Sequence, residues 1–308
     1  MALDPASFLQ RSVFMSGRGF SYFAQTPGLP LSLKCMFNGR ALYKFGRSEV
    51  AVDDLGYLIL NDQQPYSIEI ASPTRVETFV LWFPQNWAEE VLRSFDKPPE
   101  TLLANPSNEN GASAAFFERY TPHDHVVSPK VHALRAAFKG THTIEDAWLE
   151  EKLRELLSAM LASQQTLKRE VGNLSATRAS TREELWRRVN RARDYLHAHL
   201  ARPVSLSEVA TAACLSRFHL LRVFRSAFGQ TPHQYLNHRR LERAKFLLEK
   251  TAIPVTAICL ECGFISLGSF SALFQTHCGM SPRAWRKAHG ARSDENSNIR
   301  EVYLMGAP

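Results

Sequence analysis

Residues 215–236 read LSRFHLLRVFRSAFGQTPHQYL, and this stretch decides the fold of the C-terminal part of the chain. Drawn as a helix, the segment carries its arginines on one side and Phe224 and Phe228 on the other. It then stops at a Gly-x-x-Pro sequence, residues 229–232. The pattern predicts a short amphipathic helix with a basic outer face and an apolar inner face.

The same frame returns about fifty positions later, in SLGSFSALFQTHCGMSPRAWR at residues 266–286. The corresponding pairs are Phe224 and Phe274, Gly229 and Gly279, Pro232 and Pro282, and Tyr235 and Trp285. A repeat of this kind indicates one structural unit that the chain uses twice.

The first copy predicts two short helices joined by a tight turn. Ser205 can cap the first helix, with Glu208 three residues later as in a capping box, and Ser216 can cap the second. A helix pair whose second member has a basic outer face is the helix-turn-helix pattern, which fits the DNA major groove. The competing interpretation is a solvated amphipathic helix. The exposed Leu221 counts against it, because a leucine among arginines needs an apolar contact such as a thymine methyl group.

The second copy differs, because its outer face carries no arginine. We therefore hypothesise that the first helix supplies most of the base readout and that the second docks mainly on the DNA backbone. The predicted DNA contacts are Ser216, Arg217, Phe218, Leu221, Arg222 and Arg225 in the first copy, and Ser266, Leu267, Gly268, Ser269, Ala272 and Gln275 in the second. Residues 233–250 between the copies predict a helix of about 27 Å. Such a helix could hold two reading helices near the ~34 Å of one DNA turn.

Charge and length agree with a separate DNA-binding domain. A chain of 308 residues favours two domains. Residues 181–290 hold 17 Lys and Arg against 7 Asp and Glu, whereas residues 1–180 hold 18 against 20. A basic C-terminal half indicates a polyanionic partner, although a basic domain that is merely solvated is the alternative. The five cysteines are odd in number and predict no disulfide framework, and we interpret the Cys259–Cys262 pair as core packing rather than a metal or redox site.

These C-terminal motifs resemble the signature of AraC/XylS-type transcription regulators. The matching positions are Arg240, Leu241, Ala244, Leu247, Leu248, Gly263, Phe264, Phe270, Phe274, Gly279, Ser281, Pro282, Trp285 and Arg286. The resemblance covers residues 185–287, about a third of the chain. It implies two helix-turn-helix units that read adjacent major-groove segments, an N-terminal cupin-like barrel that binds a small-molecule effector, and a homodimer. It also implies a cytoplasmic activator that acts on double-stranded DNA and contacts RNA polymerase.

The N-terminal part predicts short antiparallel strands between residues 37 and 83, separated by turns such as the one at residues 72–74, and then a long helix over residues 144–170. The leucine stripe of that helix could be core or a seam between two protomers, and the sequence leaves both open. VDDLGYLILNDQQPYSIEI, residues 52–70, loosely resembles a cupin strand pair. The metal-binding histidines of enzymatic cupins are missing, and we interpret His123–His125 as a surface loop. We therefore expect no metal, no cofactor and no catalytic residues.

The predicted fold class is a two-domain α+β protein: an N-terminal antiparallel cupin-like barrel with helices, and an all-α C-terminal domain with two helix-turn-helix units joined by a linker helix. The expected boundaries are 1–171 for the effector and dimerisation domain, 172–184 for a linker, 185–290 for the DNA-binding domain and 291–308 for a disordered tail. The aromatic residues expected to line a ligand pocket are Tyr43, Tyr57, Tyr66 and Trp82. No membrane segment is expected. The leading interpretation is an effector-responsive transcription regulator. The alternatives are a metal-free cupin enzyme fused to a DNA-binding module, and a constitutive regulator whose front domain only dimerises.

Overall fold

The computed structural model describes residues 13–96, 114–139, 144–172, 179–290 and 301–303. The chain forms two compact units, an N-terminal unit of residues 1–46, 52–183 and 299–308 and a C-terminal unit of residues 184–298 together with residues 47–51. No helix in these described ranges is long and apolar enough to cross a membrane.

The N-terminal unit is built on an antiparallel, nearly closed barrel of eight strands, which confirms the expected barrel. The strands are β1 Val13–Thr26, β2 Ser32–Phe37, β3 Arg40–Phe45, β4 Ser48–Asp53, β5 Gly56–Leu60, β6 Tyr66–Trp82, β7 Tyr120–Pro122 and β8 Glu301–Tyr303. Their order is β4-β3-β6-β2-β5-β7, with β1 paired to β6 and β8 paired to β1.

Three strand features differ from the sequence prediction. Strands β1 and β2 precede residue 37 and were not predicted, because β1 is largely exposed and β2 is buried on both faces, so neither shows a buried–exposed alternation. The predicted turn at residues 72–74 is wrong, since β6 runs straight through it. The register of β1 against β6 passes from Gly19 opposite Val76 to Ser21 opposite Ala71. A bulge in β6 therefore absorbs the turn-forming residues without ending the strand.

Helices cover one face of this sheet. They are α1 Trp87–Asp96, α2 Ser128–Lys139 and α3 Asp146–Gly172. The predicted long helix is confirmed by α3, and its stripe of Leu149, Leu153, Leu156 and Met160 is buried in one cluster with sheet residues such as Phe79. Within this chain the stripe is therefore core, which decides between the two interpretations that the sequence left open.

The C-terminal unit is helical. Its helices are α4 Ala179–Ala198, α5 Leu206–Ala212, α6 Arg217–Phe228, α7 Pro232–Lys250, α8 Val255–Glu261, α9 Leu267–Cys278 and α10 Pro282–His289. Helix α7 packs against α6, α8 and α10. Cys259 and Cys262 are buried in the cluster formed with α7, which confirms their packing role.

The predicted linker and tail need correction. Residues 173–178 lie outside the described residues, but residues 179–184 already belong to α4, so the linker prediction is wrong for them. In the predicted disordered tail, residues 291–300 and 304–308 also lie outside the described ranges. Glu301–Tyr303 instead form β8, where Val302 pairs with Met15 of β1. This short segment adds to the free edge of β1, and a three-residue strand is too short to give a sequence signal.

Candidate nucleic-acid interface

The first helix-turn-helix unit, α5 and α6, begins with the predicted capping box. The Ser205 side chain accepts a hydrogen bond from the Glu208 backbone N–H, and the Glu208 carboxylate accepts one from the Ser205 N–H at 2.7 Å. The same carboxylate pairs with Arg202 at 2.7 Å. The Ser205 backbone N–H and the Arg202 guanidinium lower the pKa of Glu208 to about 2. The ionised carboxylate therefore fixes the start of α5.

Glu208→Gln should lower the thermal midpoint of the C-terminal unit at neutral pH, because the amide cannot replace the anion that Arg202 and Ser205 bind. The folded-state pKa of Glu208 lies below its ordinary value of 4.5, so its stabilisation is complete above that value and is lost as the pH falls toward about 2. The gap in midpoint between wild type and variant should close over this pH range. Melting curves from pH 7 to pH 2.5 measure this gap. The control is Glu261→Gln, at an exposed position at the end of α8. A gap that is constant with pH would contradict this role for Glu208.

The turns of both units contain a residue in the left-handed region. Cys214 has φ 54° in the first unit, and Gly263 has φ 76° at the corresponding position of the second. Cys214 is exposed and the first unit tolerates a side chain there. A Cβ at Gly263 would lie 2.4 Å from the Leu200 carbonyl oxygen, so only glycine fits the second turn.

The repeated Gly-x-x-Pro sequences end one helix and start the next. Gly229 and Gly279 take the left-handed conformation at the C-terminal ends of α6 and α9, with φ 69° and 77°. Pro232 and Pro282 then occupy the first turns of α7 and α10, where the missing N–H is not needed. The repeat at residues 229–232 and 279–282 is thus a helix stop followed by a helix start.

Aromatic pairs hold α6 and α9 each to the helix that follows it. Phe224 meets Tyr235 edge to face with ring centroids 5.8 Å apart, and Phe274 meets Trp285 in the same way at 5.9 Å. Both phenylalanines are fully buried. The predicted role of the phenylalanine face, to hold the unit together, is therefore confirmed by the packing.

The outer face of α6 exposes all the residues that were predicted to contact DNA from the first copy. Ser216 caps the helix, and its three arginines, Arg217, Arg222 and Arg225, are exposed and make no ion pair with another described residue. Phe218 has 84% of its surface exposed, and Leu221 is also exposed. The face therefore offers three free guanidinium groups beside two apolar side chains.

The outer face of α9 is uncharged. Ser266 caps this helix by accepting from the Ser269 N–H at 3.1 Å. The other residues predicted from the second copy, Leu267, Gly268, Ala272 and Gln275, are exposed. Sequence reasoning missed Ile265, which directly precedes the cap and has 89% of its surface exposed. The outer face of α9 therefore presents apolar and uncharged polar side chains, and none of the predicted contact residues on it is a lysine or an arginine.

Part of the positive charge of the C-terminal unit is not available to a partner. Arg239, Arg240 and Arg243 of α7 are buried. Arg240 donates to the carbonyl oxygens of Leu200 and Arg202, each at 2.8 Å, and burial lowers the pKa of its guanidinium. Arg239 instead contacts the His197 ring nitrogen at 2.9 Å, and the Arg243 guanidinium lies over the Phe246 ring. Counting charges in the sequence therefore overstates the charge that faces outward.

The residues that were predicted to line a pocket in the N-terminal unit do not form one group. Tyr43, Tyr66 and Trp82 surround Lys34, whose ammonium lies 5.8, 4.4 and 5.1 Å from their ring centroids. Tyr57 instead lies in the core on the helical side of the sheet, so its prediction as a pocket residue with the other three is wrong. Neighbouring residues of a strand face opposite sides of a sheet, and the sequence did not show which side each aromatic takes.

The His123–His125 segment has a structural role. Asp124 accepts hydrogen bonds from the Tyr57 hydroxyl and from the N–H groups of Val126 and Val127. Although burial acts to raise the pKa of Asp124, these hydrogen bonds hold it below its ordinary value. The interpretation as a plain surface loop was therefore incomplete, because Asp124 caps the segment that leads into α2.

One group of side chains in the described part of the chain has the composition of a metal site. The ligand atoms of His238, Glu242 and His277 all lie within 4.8 Å of one another, on α7 and α9. The group is largely exposed, and Glu242 also pairs with Lys245 at 2.7 Å. Sequence reasoning did not single it out, since its members are far apart in the chain.

Comparison with known proteins agrees with this geometry. A family model described as a helix-turn-helix domain matches residues 209–288. The probable transcriptional regulator LumQ of Photobacterium leiognathi is 36% identical over 93 residues, which is 30% of this chain and 38% of LumQ. The transcriptional activator RhaS of Escherichia fergusonii is 38% identical over 104 residues, 34% of this chain and 37% of RhaS. The C-terminal domain of AraT, a response regulator from Geobacillus stearothermophilus, is 27% identical, with 35% of this chain and 91% of that domain covered and a TM-score of 0.34.

The fold and these relatives define the C-terminal region as a helix-turn-helix domain of DNA-binding transcription regulators. It is a domain of the AraC/XylS type. The chain matches little more than a third of the length of LumQ and RhaS.

Proposed function

We propose that the protein is a sequence-specific transcription regulator that binds double-stranded DNA and responds to a small-molecule effector. The observation that carries the proposal is the outer face of α6, where three exposed arginines flank Phe218 and Leu221 and pair with no carboxylate of the described residues. Guanidinium groups can pair with guanine edges or neutralise phosphates, and leucine can contact a thymine methyl group. The resemblance of this region to AraC/XylS-type domains supports the proposal that α6 is a reading helix.

The proposal assigns different tasks to the two units. Helix α6 reads bases through Arg222 and Leu221, and Arg225, one turn further along, binds phosphate. Helix α9 offers Gln275 and the capped N-terminus at Ser266, which suit contacts with the DNA backbone. The remaining predicted residues of both faces stay in the proposed interface.

The barrel is proposed as the effector-binding unit, and the protein as a homodimeric activator that contacts RNA polymerase in the cytoplasm. These parts rest on the resemblance to AraC/XylS regulators and on the similarity to RhaS, a transcriptional activator. A thermal-shift screen of the full-length protein against small metabolites tests the effector. A protein that no metabolite stabilises, and whose DNA binding no metabolite alters, would be a constitutive regulator instead.

DNA affinity should fall steeply with salt, because each neutralised phosphate releases bound counterions. The logarithm of the association constant should fall by about 0.9 per phosphate contact for each unit of log salt concentration. Arg225→Ala should reduce this slope by about one and weaken all sequences alike. Fluorescence anisotropy between 50 and 200 mM salt measures the slope, with Lys44→Ala on the barrel as control. An affinity that does not change with salt would contradict the DNA-binding proposal.

A further inference from the structure

A lysine lies buried inside the barrel. Strand β2 alternates between Leu33, Cys35 and Phe37, which join the helix-covered core, and Ser32, Lys34 and Met36, which face the other way. Only 1% of the Lys34 surface is exposed. Lysine is ordinarily exposed, so the sequence alone did not mark Lys34 as internal.

Among the described residues, the side chains around the Lys34 ammonium are aromatic. Its ammonium donates to the Tyr66 hydroxyl oxygen at 3.0 Å and lies over the rings of Tyr43, Tyr66 and Trp82. Among the residues that the structure describes, no carboxylate forms an ion pair with it. The buried carboxylate of the same barrel, Glu77, is already held by Arg18, Arg135 and Lys139.

A buried ammonium without a counter-charge is costly, and cation–π contacts offset only part of that cost. The Lys34 ammonium has three hydrogens to donate, and one hydrogen bond to the protein is present. The donors that remain are available to an acceptor that the described residues do not provide.

A second donor lies in the same place. The Tyr43 hydroxyl is fully buried and has no hydrogen-bond partner among the described residues. Burial, together with its neighbour Tyr66, raises the pKa of this phenol well above its ordinary value, so the hydroxyl keeps its proton. A neutral phenol beside an ammonium is a pair of donors suited to an anion.

We propose that the inside of the barrel binds a small carboxylate with an apolar body, whose carboxylate oxygens accept hydrogen bonds from Lys34 and Tyr43. One cation matches a single negative charge, and the aromatic rings with Met36 and Val80 offer apolar contacts to the rest of the ligand. This inference rests on the proposal that the barrel takes an effector, and it names the chemical class of that effector.

The empty protein gives a test that needs no ligand. Lys34→Met should raise the thermal midpoint of the barrel by about 4 °C, since it removes an uncompensated buried charge and keeps the length of the side chain. Lys44→Met, the same change at an exposed site on β3, should leave the midpoint unchanged. A lower midpoint for Lys34→Met would mean that the ammonium stabilises the empty barrel, and would overturn the proposal.

Ligand binding is tested with acids paired with their own uncharged amides. The probes are benzoate and benzamide, phenylacetate and phenylacetamide, and hexanoate and hexanamide, added to the full-length protein. At least one acid should raise the midpoint by about 2 °C or more while its amide does not, and Lys34→Met should abolish the shift. Tyr43→Phe should raise the dissociation constant of that acid about tenfold, as measured by calorimetry. The proposal would be overturned if the amides shift the midpoint as much as the acids do. It would also be overturned if Lys34→Met shifts as much as wild type with the same acid, or if no acid shifts the wild type.

DNA affinity of the ligand-free wild type, measured separately, distinguishes the two proposals. If the wild type does not bind DNA but responds to an acid through Lys34, the proposed role as a DNA-binding regulator is wrong and the carboxylate site stands. Intact, sequence-specific DNA binding with no acid response would remove only the carboxylate site.

Discussion

Gly263→Ala is expected to destabilise the C-terminal unit by about 3 kcal/mol or more, the sum of a left-handed backbone and a steric overlap. The residue has φ 76°, which disfavours any side chain. The new Cβ would also lie 2.4 Å from the Leu200 carbonyl oxygen and 2.9 Å from the Arg240 guanidinium. Because Arg240 bonds that same carbonyl, the overlap should disrupt the contact that holds α7 to the chain after α4.

The matched control is Gly229→Ala. Gly229 has nearly the same φ, 69°, but a Cβ there meets nothing within 4 Å. Its replacement should cost only the backbone penalty, about 1 kcal/mol. Peptide-resolved hydrogen exchange of α7 and α8 in the full-length protein measures both free energies of opening. If Gly263→Ala and Gly229→Ala lower the free energy of opening equally, the steric overlap with the Leu200 carbonyl does not contribute to the loss of stability.

Arg222→Ala is expected to weaken binding to the preferred DNA site by about 1 to 3 kcal/mol, roughly tenfold to a hundredfold. Arg222 is exposed on α6 one position after Leu221 and makes no ion pair with another described residue, so its guanidinium is free to reach guanine O6 and N7. The loss should be large on the preferred site and small on unrelated DNA, because a base contact discriminates whereas a phosphate contact does not.

The control for this variant lies fifty residues further on. Ala272 is the counterpart of Arg222 in the second unit, is exposed, and offers no donor. Ala272→Ser should therefore change affinity little. Competition titrations with the preferred site and with unrelated DNA compare the two variants. An equal loss on both DNAs for Arg222→Ala would make Arg222 a phosphate contact and remove it from base readout.

The C-terminal unit could be predicted well because its signals are local. Ser205 with Glu208, and the paired sequences around Gly229 and Gly279, each fix a helix end within a few residues, and such ends depend little on distant parts of the chain. The repeat then doubled the Gly-x-x-Pro signals, although the capping box of α5 has no counterpart at α8, where Pro254 is the N-cap residue. The exposed and buried faces of α6 follow from the helical period alone, once its ends are known.

The missed features depend on contacts between residues far apart in sequence. The burial of Arg240 requires the Leu200 and Arg202 carbonyls, forty and thirty-eight positions away, and nothing in the local sequence marks this arginine as internal. Lys34 is hidden for the same reason, since the rings around it come from β3 and β6. A lysine is ordinarily exposed, and only the barrel topology places this one inside.

Selection of DNA sites from a fully randomised library, with wild type and variants of the full-length protein in parallel, tests the central claim most directly. Wild type should enrich a defined sequence at physiological salt, and Arg222→Ala should flatten the preference at one or two base pairs while the rest of the site persists. Changes at Leu267 or Gln275 should lower yield with little change in the sequence selected. If no sequence is enriched, or if Arg222→Ala keeps the full preference while changes at Leu267 or Gln275 abolish it, then α6 is not the helix that reads DNA.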